Sequence, residues 1–151
     1  MRPIPQDTIE RQALASNPAA SAWVSANAGS GKTHVLTQRV VRLLLEGTPP
    51  SKILCLTFTK AAAANMSLRV FRTLSSWIRL DDAELAKAIA QVRGESVSQI
   101  HKDILLRARR LFAKTVETPG GLKIQTIHAF CERLLHVFPF EANVAASFEV
   151  L

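Results

Sequence analysis

The segment that most restricts the possible folds is a glycine-rich stretch that ends in Gly-Lys-Thr, at residues 26–33. Its sequence, ANAGSGKT, fits the phosphate-binding loop pattern in the variant with alanine at the first position. A short apolar run at 21–26 precedes it, and an amphipathic stretch follows from Lys32, so the loop is predicted to join a strand to a helix. The alternative is a glycine-rich turn before an ordinary helix, which does not require the Gly-Lys-Thr ending.

Each residue type in this loop suits the binding of a nucleoside triphosphate. Gly29 and Gly31 allow backbone N–H groups to turn toward phosphate oxygens, and the following helix directs the positive end of its dipole at them. Lys32 can reach the β- and γ-phosphates, and Thr33 can ligate Mg²⁺, so these two residues are the candidate catalytic residues and Thr33 is the candidate metal ligand. The predicted nucleotide contacts in this segment are Ala26, Asn27, Ala28, Gly29, Ser30, Gly31, Lys32, Thr33 and His34.

The hydrophobic pattern predicts strands that alternate with helices, which is the order of an α/β fold with a parallel sheet. Strands are predicted at 21–26, 53–58 and 122–126, and helices from Asp7 or Thr8 to Ala15 and at 32–46, 60–79 and 127–137. The run ILCLTF at 53–58 is continuously apolar, as expected of a parallel strand covered on both faces. Residues 79–118 are predicted to form a helical insertion of two helices split near Gly94, between core segments 1–78 and 119–151.

Apolar residues at helical spacing predict the faces that these helices bury. The predicted buried positions are Leu36, Val40, Leu43 and Leu44 in the first long helix, Met66, Val70 and Leu74 in the second, and Ile127, Phe130 and Leu134 in the last.

Composition fits a single domain with a polyanionic partner. The chain has 151 residues, and its 19 Lys and Arg against 12 Asp and Glu give a net charge of +7. Its two cysteines, Cys55 and Cys131, lie far apart without metal-ligand spacing, which favours a reducing compartment. The sequence shows no signal peptide and no apolar run near the roughly 18 residues that span a bilayer, so we expect a soluble cytoplasmic protein.

Gln12 lies ahead of the loop on the first predicted helix. Its amide offers one donor and one acceptor group, which suits the N6 and N7 positions of adenine. The alternative is a solvated side chain on a surface helix.

Two further segments follow predicted strands, at the sheet edge where open parallel sheets bind ligands. Thr57, Phe58 and Thr59 follow the second strand, and Thr126 and His128 lie at the end of the third. Hydroxyl groups there can bind phosphate oxygens, and an aromatic ring can stack on a base of single-stranded DNA. In the alternative interpretation Phe58 lies in the core, Thr59 and Thr126 cap the next helices, and His128 is merely exposed.

A row of basic residues, Arg107, Arg110 and Lys114, lies beside the apolar stripe of the helical insertion. It could face phosphates, but such side chains more often extend along the rim of a packed helix.

The order of these motifs resembles that of superfamily 1 helicases of the UvrD and Rep type. The resemblance is carried by Gln12, by ANAGSGKT, by LTFTKAAAANM at 56–66 and by IQTIHAFC at 124–131. It is closer still to the AddA family, the helicase-nuclease subunits of a bacterial double-strand-break repair enzyme, in its alphaproteobacterial form. The resemblance spans nearly the whole chain and is weakest at 80–115.

This resemblance implies part of a RecA-like motor domain that binds ATP and Mg²⁺. The partners that it implies for the full-length protein are DNA ends or single strands, together with an AddB-like partner subunit. It also implies that Gln12 recognises adenine, that residues 26–33 bind the triphosphate, and that the two segments after the strands contact DNA. Asn65 departs from the acidic residue usual before Met66, and Lys60 stands where related helicases often have asparagine.

An apolar strand ending in Asp-Glu, which holds Mg²⁺ and activates water in phosphate-loop ATPases, is not found in the sequence. The adjacent acidic pair Asp81-Asp82 follows SSWIRL, the end of a helical pattern. We therefore expect a truncated helicase piece that is inactive by itself. Two alternatives remain open: a small phosphate-loop phosphotransferase, and a noncatalytic nucleic-acid-binding module whose loop is vestigial.

Overall fold

The computed structural model describes residues 5–145 except Ala26, Ala28 and Ser30. The helices are α1 (Gln6–Ala15), α2 (Lys32–Leu45), α3 (Lys60–Trp77), α4 (Asp82–Arg93), α5 (Lys102–Glu117) and α6 (Ile127–Val137). The strands are β1 (Leu54–Thr57) and β2 (Lys123–Thr126), and single 3-10 turns lie at Pro50–Lys52 and Val97–Gln99. The α/β character and the order of these helices agree with the sequence-based prediction.

The strands β1 and β2 pair in parallel, with Leu54 opposite Lys123 and Thr57 opposite Thr126. Both strands therefore end at the same edge, where α3 and α6 begin. The two strands are shorter than the predicted 53–58 and 122–126, since Ile53 and Phe58 fall outside the paired segment.

The predicted strand at 21–26 is not formed in its described part. Residues 21–25 have no regular secondary structure, lie beside α1 and α2 and pair with neither strand of the described sheet, and Trp23 is 96% exposed. The remaining residue of that prediction, Ala26, lies outside the described residues. A strand needs the backbone groups of a neighbour, so an apolar run is not sufficient to form one.

The prediction that β1 is covered on both faces is also wrong. Cys55 packs against the core, but Leu54 and Leu56, which point to the other face, are 44% and 45% exposed. The helix α6 lies on the sheet without burying its apolar stripe, since Ile127 and Phe130 are half-buried and Leu134 is exposed. The predicted inward face of α6 is therefore only partly covered.

The core lies between α2, α3, α4 and α5. Met66, Val70 and Leu74 of α3 are buried as predicted, but in α2 the buried face is centred on Val41 and Leu44. Leu36 of the predicted α2 stripe is exposed and Leu43 is half-buried.

The helices α4 and α5 share this core. Leu85 and Ile89 of α4 and Ala108 and Leu111 of α5 belong to the same hydrophobic cluster as the α2 and α3 residues. The two helices separate at Gly94, whose left-handed conformation ends α4 as predicted. The division of the chain into a RecA-like part and an inserted segment stays a prediction. Residues of the predicted insertion belong to the same hydrophobic core as those of α2 and α3.

Candidate nucleotide-binding site

The described part of the glycine-rich loop has the backbone geometry that only glycine adopts easily. Gly29 and Gly31 have φ angles of 81° and 91°, in the left-handed region. Gly31 is the N-cap of α2 and has no side chain with which to cap the helix. The dipole of α2 favours an anion at this end. The predicted contacts Ala26, Ala28 and Ser30 lie outside the described residues.

Lys32 is the first residue of α2, and its side chain lies across the loop. Its Nζ donates a hydrogen bond to the backbone oxygen of Asn27 at 2.7 Å. This contact closes the loop over five residues and holds the ammonium group beside the helix N-terminus. A phosphate oxygen could replace the carbonyl as acceptor without a large movement of the side chain.

Gln12 lies directly over the end of this loop. A Cβ atom built on Gly31 would stand 3.0 Å from Gln12 Nε2, so the amide is in close contact with the glycine backbone. The contact brings together two residues that are 19 positions apart (31 − 12 = 19). The predicted base-recognising residue and the predicted phosphate loop therefore adjoin in the structure.

Two adjoining cavities lie between α1, α2 and residues 21–25. One, of about 340 Å³, is lined by Gln12, Arg11 and Trp23 among others, and the second, of about 440 Å³, extends toward Ser21 and Arg39. Lys32 lines both cavities. A base beside Gln12 and phosphates beside Lys32 would lie on one continuous surface.

Thr33 and His34 face different surroundings from each other. The Thr33 side chain is exposed, whereas its backbone oxygen accepts a hydrogen bond from Thr37 Oγ1 at 2.8 Å. His34 lines a separate cavity of about 220 Å³ between α2, α3 and α4, away from Gln12. The lining of this cavity includes neither Gln12 nor Lys32.

The exposed Thr33 hydroxyl fits the coordination habits of Mg²⁺, which keeps several water ligands and uses few protein oxygens beside substrate phosphates. In the described part of the chain, no three His, Cys, Asp or Glu residues lie together as a metal site. Phosphate oxygens and water would therefore supply most of the coordination of a Mg²⁺ ion at this position.

The two predicted DNA-contacting segments meet at one edge of the sheet. Thr57 and Thr126 are paired across β1 and β2, and Phe58 is 83% exposed. The alternative that placed Phe58 in the core is therefore wrong. Both capping assignments are right, because Thr59 Oγ1 accepts from Ala62 N–H at 3.1 Å and Thr126 Oγ1 accepts from Ala129 N–H at 3.2 Å.

His128 lies in the first turn of α6 and is exposed, so it faces the same edge as Phe58. A DNA role for these residues stays a prediction.

Asp81, Asp82 and Arg107, among the charged groups singled out in the sequence, have structural partners. Asp81 and Glu84 form a capping box at the start of α4, and Asp82 pairs with Arg109 at 2.7 Å. Arg107 Nη1 donates to the backbone oxygen of Leu45 at 3.0 Å and thereby caps the C-terminus of α2. These contacts support the interpretation of Asp81-Asp82 as a helix start and of Arg107 as a rim residue.

Sequence reasoning missed two arginines of α2, Arg39 and Arg42, which bind the backbone at the end of α1. Burial lowers the pKa of the Arg42 guanidinium, with opposing effects from nearby Glu46 and Glu95. The sequence feature that could have indicated these two arginines is their spacing of three residues on the helix that begins at the loop. Burial also raises the pKa of the Cys55 thiol, which makes it a poorer nucleophile than an ordinary cysteine.

Comparison with known proteins agrees with this geometry. Residues 6–151 match the sequence model of the UvrD/REP helicase N-terminal domain. An ATP-dependent helicase/nuclease subunit of Lactobacillus acidophilus is 32% identical over 148 residues, and its counterpart in Lactobacillus helveticus is 33% identical over 150 residues. Each alignment covers 98% of this chain and 10% of the relative.

The corresponding protein of Latilactobacillus sakei is 32% identical over 147 residues, which are 97% of this chain and 14% of the relative. The chain thus spans about a tenth of the length of the first two relatives. These relatives come from lactic acid bacteria, so the expected alphaproteobacterial type stays a prediction. Helices long and apolar enough to cross a membrane are not found in the described ranges of the chain.

Proposed function

Because the chain belongs to the UvrD/REP helicase family through the N-terminal domain of that family, we propose that it binds Mg-ATP and single-stranded DNA as part of a larger DNA helicase-nuclease. In the whole protein this part would drive ATP-dependent movement along DNA ends, with exonuclease activity and an AddB-like partner, in double-strand-break repair by homologous recombination. We include the alphaproteobacterial AddA type in this proposal on the strength of the sequence motifs.

The observation that carries the nucleotide part of the proposal is the meeting of Gln12, Gly31 and Lys32. The Gln12 amide contacts Gly31, and the Lys32 ammonium group spans the loop to Asn27. A glutamine amide, a helix N-terminus and a lysine ammonium group thus lie side by side. Neither a glycine-rich turn before an ordinary helix nor a solvated glutamine would require this juxtaposition.

The role of each group in nucleotide binding follows from its chemistry. Backbone N–H groups of the loop and α2, with Lys32, would bind the phosphates, and Gln12 would orient the base. A bound Mg²⁺ ion, held by Thr33 and phosphate oxygens, would neutralise charge on the phosphates.

Adenine preference is the first test of this arrangement. Gln12→Ala should lower the preference of the chain for ATP over GTP by about three- to tenfold, because the amide complements N6–H and N7 of adenine but meets an acceptor at O6 of guanine. Competition of ATP and GTP against a fluorescent nucleotide measures the preference. Gln6→Ala removes an exposed glutamine of the same helix and should change nothing. An unaltered preference in Gln12→Ala would exclude the adenine role.

The DNA part of the proposal rests on Phe58, an exposed aromatic side chain at the edge where both strands end. Phe58→Ala should weaken binding of a short labelled oligothymidylate by about five- to tenfold, because stacking on an aromatic ring stabilises each bound base by about 1 to 3 kcal/mol. Fluorescence anisotropy at low salt measures the affinity. The control is Phe140→Ala, which removes a 90% exposed phenylalanine far along the chain from this edge. Equal losses in the two variants would contradict a stacking role for Phe58.

A further inference from the structure

The end of α1 is bound to α2 by two guanidinium groups. Arg39 donates to the backbone oxygens of Asn17 and Ala20 at 2.6 Å each and to that of Ala15 at 3.2 Å. Arg42 donates to the backbone oxygen of Ala13 at 3.0 Å and to Ser16 Oγ at 2.9 Å. We call these two residues the arginine clamp.

The clamp provides hydrogen-bond donors and positive charge at the C-terminal end of α1. The last carbonyl groups of a helix have no partner within the helix, and α1 has no basic residue in its own last turn among the described residues. A cation near a helix C-terminus is favourable, and a guanidinium group offers five donors in a fixed plane. Arg39 and Arg42 therefore satisfy the end of α1 from the neighbouring helix.

The side chains of α1 are only partly covered. None of its ten residues is buried, all of them being described, and a helix of this length is marginal in water by itself. Besides the approach of Gln12 to Gly31, the Cβ atom of Ala13 lies 3.2 Å from the position that a Cβ on Gly94 would take. Because no side chain of α1 is fully buried, the hydrogen bonds of the clamp add to these partly covered contacts in placing α1.

Gln12 is next to Ala13, the carbonyl that Arg42 binds. Arg39 and Arg42 belong to α2, the helix that begins at the phosphate loop. The clamp therefore joins the end of the helix that carries Gln12 to positions about two and three turns along the helix that begins at the loop.

We propose that Arg39 and Arg42 are positioning residues for base recognition, which hold Gln12 against Gly31 and so determine the adenine preference of the site. This inference rests on the proposed nucleotide-binding function. The phosphate-binding groups lie on the loop and α2 itself, so the clamp acts on recognition of the base and leaves recognition of the phosphates intact.

The test compares nucleotide preference with phosphate affinity in clamp variants. Arg39→Met keeps the aliphatic stem of the side chain and removes all three hydrogen bonds. We expect it to lower the ATP-to-GTP preference by about threefold and to leave the affinity for inorganic tripolyphosphate within about twofold of the starting chain. The ATP-to-GTP preference of Arg39→Lys should lie between those of Arg39→Met and the starting chain, because an ammonium group cannot span three carbonyls in one plane. Arg72→Met, at an exposed arginine of α3, is the matched control.

A double variant gives a second, independent measurement. If the clamp acts through Gln12, then Gln12→Ala combined with Arg39→Met should lose no more preference than Gln12→Ala alone. Arg42 is buried, so Arg42→Met can unfold the chain. Circular dichroism therefore accompanies each titration. The outcome is decided by Arg39→Met, because Arg39 is less buried.

Three results would overturn the role of the clamp, and they distinguish its failure from the failure of the proposed function. A starting chain without adenine preference overturns both the proposed function and the clamp. A Gln12-dependent preference that survives in Arg39→Met overturns the clamp alone. An equal loss of tripolyphosphate affinity and of preference in Arg39→Met also overturns it, because the clamp would then support the loop in general.

Discussion

Replacing Lys32 by alanine should weaken binding of Mg-ATP by about ten- to a hundredfold. A charge-assisted hydrogen bond to phosphate contributes about 1.5 to 3 kcal/mol, and Lys32 is the first residue of α2, with its ammonium group on the backbone oxygen of Asn27. Loss of its hydrogen bond to Asn27 also removes a contact that closes the loop. Titration with a fluorescent ATP analogue measures the effect.

Lys60→Ala is the matched control, since Lys60 is also an exposed lysine at the first position of a helix. It differs in that its helix is capped by Thr59, which accepts the N–H group of Ala62. Nucleotide affinity should therefore be unchanged in Lys60→Ala. Similar losses in the two variants would show nonspecific attraction of ATP to a basic surface instead of a phosphate site.

Replacing Gly31 by alanine should reduce nucleotide affinity by about ten- to a hundredfold, because it acts on both halves of the site. The φ angle of 91° disfavours any residue with a Cβ, and that atom would stand 3.0 Å from Gln12 Nε2. Alanine would therefore strain the loop and displace the Gln12 amide together. Affinities for ATP, GTP and tripolyphosphate, measured side by side, separate the two effects.

Gly47→Ala gives the control for backbone strain alone. Gly47 has a φ angle of 99° just past the other end of α2, and a Cβ there would meet no described atom within 4 Å. We expect Gly47→Ala to lower the thermal midpoint of unfolding and to leave nucleotide affinity unchanged in the folded chain. If Gly31→Ala behaves in the same way, the contact between Gln12 and the loop has no role in binding.

The features that sequence predicted well are those specified by nearby residues. The left-handed Gly29 and Gly31 and the helix that begins at Lys32 depend only on the local sequence, and the α3 stripe of Met66, Val70 and Leu74 follows from helical spacing. The meeting of Thr57 and Thr126 at one edge also follows, because parallel strands end on the same side. These local rules determined most element positions to within a few residues.

The features that sequence missed depend on distant partners. Residues 21–25 have a strand-like composition, but no described strand lies beside them, and Trp23 stays in solvent. Leu54 and Leu56 on the open face of the sheet and Leu134 on α6 have the hydrophobicity of core residues but are exposed. Arg39 and Arg42 resemble ordinary surface arginines until the carbonyls of α1 are placed beside them. The spacing of residues along one helix does not indicate which neighbouring element their side chains will contact.

The central claim is that Gln12, the glycine-rich loop and Lys32 form one Mg-ATP site, and amide chemical shifts of the isotope-labelled chain test it most directly. Addition of Mg-ATP should shift the resonances of Asn27, Gly31, Lys32 and Gln12 together, with a single saturation curve, because these residues adjoin in the structure. Resonances of α5 and α6 should move little. Saturating shifts confined to other residues, or none at all, would contradict the assignment of this surface as the nucleotide site.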